Sequence, residues 1–300
     1  MKKLGYIISL VFVSLIIIVF ISPDALSWGF YGHKKINRMA VYAIPAPLSS
    51  FYKKNIEYIT QHAVDPDKLK FIDSTEAVHH YINIDHYGVE GFKKLPKYWK
   101  DAVKKYTKDT LDKYGTLPWQ ISYWEYKLTE AFKRKDITAI LKASAFIGHY
   151  IADAHVPLHT VANFNGQETN QQGVHALWES AIPEAFGDTY AHITGGAVYL
   201  KDPTGKIWSI LIQSYALAPT VLLVEKEVSG HFTITQKYLQ YKDGDKKIKY
   251  TPAYIAAYNK ALNSMVEKQL HTAAVDLASF WYTAWVNAGQ PNLSSLRAAK

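Results

Sequence analysis

From residue 33 onward, apolar positions recur along the chain at intervals of three and four. Ile36, Met39, Ala40 and Ala43 share one face and Pro45 and Pro47 close the segment, which predicts a helix over 33–44. The same period predicts helices over 49–63, 97–113, 119–134, 137–156, 174–182, 206–226 and 252–287, with Gly115, Asp136, Pro157 and Gly289 near the breaks. One stretch departs from it: Tyr238-Leu239-Gln240-Tyr241 and Lys247-Ile248-Lys249-Tyr250 flank Asp243-Gly244, the signature of a small hairpin within 238–250. The fold class is therefore all-α. No repeat period and no Pro/Gly/Ser linker interrupts 28–290, which reads as one domain followed by a fraying tail over 291–300.

The first residues have a different pattern. Lys2 and Lys3 precede an apolar run from Gly5 to Ile21, and Ala25-Leu26-Ser27 offers small residues where a signal peptidase cuts. Residues 1–27 are expected to be a signal peptide, with the mature protein beginning at Trp28 and exported to a periplasm or secreted. Left uncleaved, the run is long enough to anchor the protein in a membrane.

Composition narrows the chemistry. Lys+Arg 34 against Asp+Glu 26 gives a net charge of +8, which favours an anionic partner without choosing among nucleic acid, lipid headgroup and phosphorylated solute. With no cysteine there is no disulfide, no thiol nucleophile and no thiolate-bound zinc, so a metal site must be built from His, Asp and Glu. The chain has twelve histidines for that purpose.

Two helical pairs stand out. His149 and Asp153 lie four apart on one face of the segment 137–156, and Pro157 bends the chain before His159, so this next donor leaves the helical phase. His175 and Glu179 repeat the four-residue spacing. An imidazole and a carboxylate so placed can chelate one divalent ion, and a donor set without sulfur suits hydrolytic zinc. A single such pair is often only a surface contact. Two pairs with His159 between them are a stronger signal.

These residues also carry a resemblance. His149-Tyr-Ile-Ala-Asp153-Ala-His-Val-Pro-Leu-His159, followed by Gly173-Val-His175-Ala-Leu-Trp-Glu179, resembles the superfamily of bacterial zinc-dependent phospholipases C and fungal single-strand-specific nucleases. Trp28-Gly29 with His33 looks like its mature N-terminus, Ala63-Val64-Asp65 like its first aspartate motif, and His80-Tyr81-Ile82-Asn83 like its next histidine motif.

The resemblance implies three zinc ions. Asp65, His80, His149 and Asp153 would hold the first, and His159, His175 and Glu179 the second. The α-amino and carbonyl groups of Trp28, with His33 and the bridging Asp153, would hold the third. Asp67 is the alternative to Asp65, and His79 the alternative to His80. Zinc would lower the pKa of a water towards about 7 for attack on phosphorus, with Asp65 orienting it. An amine ligand at Trp28 requires that the preceding peptide bond be cut, so processing would complete the third site.

The remaining histidines, His62, His79, His86, His155, His192, His231 and His271, are expected on the surface or satisfied in the core, with His155 a possible outer partner of the metal ligands. Tyr81 and Asn83, beside His80, are the substrate-side candidates.

Two substrate classes remain open. Glu179, Gln172-Gly173-Val174-His175 and Ala162-Asn163-Phe164 look phospholipase-like. Asp65-Pro66-Asp67-Lys68 matches the nuclease-like D-x-x-K, whose lysine would neutralise charge developing on phosphate, and the short Trp28-to-His33 spacing is also nuclease-like. The expected activity is hydrolysis of a phosphodiester, in phospholipid or in single-stranded nucleic acid and nucleotides. A zinc-binding protein or adhesin without turnover is the alternative from another class.

Overall fold

The computed structural model describes residues 29–88, 90–190, 195–240 and 248–293. The expected signal peptide, Trp28 and the turn at Asp243-Gly244 lie outside the described residues. The helices are α1 Gly29–Ala43, α2 Leu48–Lys54, α3 Ile56–Gln61, α4 Asp65–Leu69, α5 Gly91–Lys94, α6 Trp99–Tyr106, α7 Lys108–Tyr114, α8 Leu117–Arg134 and α9 Ile137–Ala154. They continue as α10 Val174–Ala176, a π-helical turn Leu177–Ala181, α11 Ile182–Phe186, α12 Pro203–Ser229, α13 Ile234–Lys237, α14 Pro252–Ala261 and α15 Met265–Asn287. A two-stranded antiparallel sheet pairs β1 Tyr238–Gln240 with β2 Lys249–Tyr250. Among the described residues the fold is all-α with one small two-stranded sheet.

Three expected helices are each two. The segment 49–63 breaks at Asn55 and ends in a 3₁₀ turn over His62–Val64. The segment 97–113 breaks at Thr107, which has φ 63° and whose side chain caps the next helix by accepting from the Thr110 amide. The segment 252–287 breaks at Asn263 and Ser264, both left-handed. None of these breaks carries Pro or Gly, so apolar periodicity ran through them unmarked.

Helix α9 occupies the centre. It starts on Asp136, whose carboxylate caps the Ala139 amide at 3.0 Å, and fifteen of its residues are buried, so it packs on every side rather than along one stripe. Its neighbours are α1, α8 and α15. Trp281 of α15 donates its indole N–H to the Ser144 carbonyl at 3.1 Å, and Tyr52 stacks on Trp281 while its hydroxyl bonds the Ser144 hydroxyl at 2.8 Å. Helix α12 packs on the 3₁₀ turn Pro157–Thr160 that follows α9, and Ser214 donates to the Ala154 carbonyl at 2.6 Å. Ser214 thereby satisfies one of the carbonyls left open in the last turn of α9. Beyond α15, Leu293 is buried and the Pro291 carbonyl accepts from the Trp285 indole, so the start of the expected tail is packed.

A second anchor lies at the far end of α12. The buried Glu225 carboxylate accepts from Lys237 Nζ, the Tyr254 hydroxyl and Gln171 Nε2, each at 2.6 Å. It ties α12 to α13, α14 and the loop before α10. Removing one partner of a buried pair strands the other charge. Glu225→Ala is expected to lower unfolding free energy by about 3 kcal/mol, measured by denaturant titration followed by circular dichroism.

Candidate metal centre

Each candidate side chain is positioned by a local device. His149 and Asp153 are both fully buried on α9, one turn apart on the same face. The residue before His149 is Gly148, where a Cβ would come within 2.2 Å of Asn37 Oδ1 on α1. The missing side chain lets α1 approach α9, and His33 of α1 stacks on His149 with ring centroids 3.8 Å apart. Asn37 in turn donates to the His33 carbonyl at 3.1 Å.

The turn after α9 brings His159 back beneath the cluster, where the 80–82 segment clasps it: the Ile82 amide donates to the His159 carbonyl at 2.8 Å and His159 Nδ1 donates to the His80 carbonyl at 2.5 Å. His175 and Glu179 flank the junction of α10 with the π-helical turn, a distortion often found at functional sites.

Among the described residues three groups result, each with its donor atoms within 4.8 Å of one another: His33, Asp67 and His149; His80, His149 and Asp153; His159, His175 and Glu179. Asp153 joins them. Its Oδ2 lies 3.0 Å from His80 Nδ1 and 3.3 Å from His149 Nε2, and its Oδ1 lies 3.5 Å from His33 Nε2 and 3.7 Å from His159 Nδ1. Glu179 bridges the third group, 3.1 Å from His175 Nε2 and 3.3 Å from His159 Nε2.

Burial and charge compete throughout this cluster. Burial disfavours ionised Asp153, but His149 and His159 outweigh it and hold the carboxyl well below the usual range. Glu179 is held down to about 2 because His175 and His159 outweigh its burial. Burial also works against protonated His149 and His159, yet Asp153 beside both, with Asp67 at the first and Glu179 at the second, pushes their pKa values up. His33 goes the other way, to about 3, because burial and the neighbouring His149 both disfavour its charge.

Several buried donor atoms have no hydrogen-bond partner among the described residues: both ring nitrogens of His33, His159 Nε2, Asp153 Oδ1 and Glu179 Oε2. Buried polar atoms are ordinarily satisfied. Converging imidazole nitrogens and carboxylate oxygens without sulfur fit zinc.

The structure brings His33, His80, His149, Asp153, His159, His175 and Glu179 together. It does not bring Asp65 or Lys68 with them. Asp65 turns outward and pairs with His62 at 2.5 Å and Lys68 at 2.8 Å, while Asp67 is fully buried, 3.6 Å from His149 Nε2 and 3.7 Å from His80 Nδ1. The reason is rotation: two residues on α4 differ by about 200°, so only one of the two aspartates can face inward. Lys70, three after Asp67, pairs with it at 2.6 Å and follows it to the cluster. Asp67-Lys68-Leu69-Lys70 repeats the D-x-x-K spacing two residues on, the signal in the sequence that marks this pair.

Among the other residues singled out, Tyr81 is half-buried with its ring against Gly115, and Asn83 is held through its amide to the Tyr114 carbonyl at 2.7 Å. His79 bonds the Thr116 hydroxyl, leaving His80 to face inward. His155 turns away from the cluster to Asp276, 3.2 Å from it, and is not an outer partner of the ligands.

Asp67→Asn is expected to weaken the affinity of metal-free protein for added zinc by at least about 10-fold, and Asp65→Asn by much less, measured by chelator competition. Because His149 and His159 hold their protons to higher pH, zinc must displace them, so affinity should fall from about pH 8 to about pH 6.

A family model described as S1/P1 Nuclease matches residues 28–284. Among solved structures, the alpha toxin of Clostridium absonum superposes with a TM-score of 0.50 at 14% identity, covering 91% of this chain and 66% of the toxin. The Clostridium perfringens alpha-toxin gives a TM-score of 0.42 at 12% identity, with 87% and 65% covered. The chain thus spans slightly less than two thirds of the length of these toxins. No curated protein matches it. With a family model spanning nearly all of the described residues and a mainly helical fold around the clustered histidines, the chain belongs to the S1/P1 nuclease family.

Proposed function

We propose that this chain is an exported zinc-dependent phosphodiesterase acting on single-stranded nucleic acid or nucleotides. The observation that carries the reading is the set of three adjoining His/carboxylate groups joined through Asp153, with Lys70 at their margin. Membership of the S1/P1 nuclease family supports the substrate class. Asp67, His80, His149 and Asp153 would hold one ion, His159, His175 and Glu179 a second, and His33 with Asp153 and the amine of Trp28 a third. Zinc bound there supplies concentrated positive charge for phosphoryl oxygens and lowers the pKa of a water to near neutrality.

The chain's own residues do the rest. His149, His159 and His175 each direct Nδ1 to a backbone carbonyl, at Ala63, His80 and Phe164, which fixes Nε2 towards the cluster. Burial of Asp153 and Glu179 excludes water from around their charges and strengthens every electrostatic interaction there. Lys70 replaces Lys68 as the cation that would meet charge developing on a transferred phosphoryl group.

A phospholipid substrate is the second reading. Phe164 favours it: the ring is 48% exposed and meets His175 edge-on at 5.7 Å, an apolar rim beside a candidate ligand.

Single-stranded DNA, RNA, 3′-nucleotides and phospholipid vesicles offered side by side to zinc-loaded protein separate the readings. Cleavage of the nucleic acids is expected; cleavage of lipid alone moves the chain to the second reading, and zinc binding without turnover on any of them makes it a binding protein or adhesin. Lys70→Ala should lower turnover on the order of 10²-fold while sparing zinc content, and Lys68→Ala should do much less.

Processing gives a separate test. One residue added before Trp28 converts its amine to an amide, and metal analysis should then find one zinc fewer per chain with the helical content unchanged. Full zinc content in that extended protein would remove Trp28 from the ligand set.

A further inference from the structure

The histidines of the cluster do not all face it with the same nitrogen. His149, His159 and His175 donate Nδ1 to backbone carbonyls and point Nε2 inward. His80 is reversed. Its Nδ1 lies 3.0 Å from both Asp153 Oδ2 and His149 Nε2, and its Nε2 points away from the cluster. A neutral imidazole that offers Nδ1 as a ligand must carry its proton on Nε2, the tautomer that needs an acceptor on the far side of the ring.

The group on that side is a carboxylate. Glu76 Oε1 lies 3.3 Å from His80 Nε2, which has no other polar partner among the described residues. Glu76 is itself buried and four residues before His80, so the contact is made across one turn of the chain. It is held from behind: the Tyr150 hydroxyl donates to Glu76 Oε1, and Gln120 Nε2 donates to Tyr150 at 3.3 Å. Tyr150 follows His149 directly on α9, so the element that carries one ligand also fixes the acceptor behind another.

We propose that Glu76 is a positioning residue for the metal centre: its buried carboxylate keeps the proton on His80 Nε2 and commits His80 to present Nδ1 to a zinc ion shared with His149 and Asp153. The proposal rests on the reading of the cluster as a zinc centre. A carboxylate behind a ligating imidazole fixes its tautomer and raises its basicity, and losing such a partner typically lowers metal affinity about 10–100-fold. The effect reaches beyond one ion, because the backbone carbonyl of His80 also orients His159.

The test uses the whole chain in its metal-free and zinc-titrated forms. Nitrogen-15 NMR of the histidine rings in the zinc-titrated protein, with His80→Gln to assign the signal, should show His80 protonated on Nε2 in the wild type and a mixture of Nε2- and Nδ1-protonated rings in Glu76→Ala. Chelator competition should show zinc affinity lowered about 10–100-fold in Glu76→Ala, with Glu76→Gln between it and the wild type because the amide oxygen still accepts without the charge. An unchanged His80 tautomer, or unchanged affinity, in a variant with native circular dichroism would reduce Glu76 to a packing role and overturn the proposal. Should Glu76→Ala not fold, Glu76→Gln carries both measurements, with Tyr150→Phe as the variant that weakens the carboxylate's support. If the wild type binds no zinc, the zinc reading itself fails, whereas a wild type that binds zinc with Glu76 variants unaltered removes only Glu76.

Discussion

Asp153 has no exposed surface, and its two oxygens serve different imidazoles, His80 and His149 on one side, His33 and His159 on the other. An ionised carboxylate in the middle of a protein is costly unless its lone pairs meet cationic or hydrogen-bonding partners from several directions. Those partners come from α1, from the segment following the 3₁₀ turn at Ala77–His79, from α9 itself and from the turn after it. The scaffold can be understood as the means of bringing these elements to one point. The Trp281 and Tyr52 contacts fix α9 from one side, α12 closes its C-terminal end, and the Glu225 network steadies the loop that leads to His175.

The same concentration of charge explains the opposed behaviour of neighbouring groups. His149 and His159 gain from the carboxylates more than burial takes away, whereas His33, stacked on His149, is held neutral. A divalent cation would satisfy the carboxylates without requiring protonated rings, so metal binding and proton release would be two sides of one exchange.

What the sequence made legible follows from local geometry. His149 and Asp153, like His175 and Glu179, were visible because a four-residue spacing on a helix places two side chains on one face whatever the tertiary context. The long helices were visible through apolar recurrence, and their internal breaks were not, because Thr107, Asn263 and Ser264 turn the chain without Pro or Gly. The choice between Asp65 and Asp67 was not legible from local pattern either. Helix α4 is five residues long and joins a 3₁₀ turn, too short for periodicity to declare an inner face. Both aspartates precede a lysine by three, and burial alone separates them. Glu76 is not legible in the sequence for a related reason, since an acceptor behind a candidate ligand leaves no trace there unless the ring's orientation is known.

The absence of a side chain at position 148 also bears on how this chain can change. Asn37 occupies the space that a Cβ would need there and at the same time holds the His33 carbonyl. A larger residue at 148 is therefore compatible with the stacking of His33 on His149 only if position 37 loses volume in compensation, and a smaller residue at 37 gives up the hydrogen bond that steadies α1. Positions 37 and 148, far apart in the sequence and outside all three groups of candidate ligands, are thus coupled through one shared volume, and a change at either limits what the other can be.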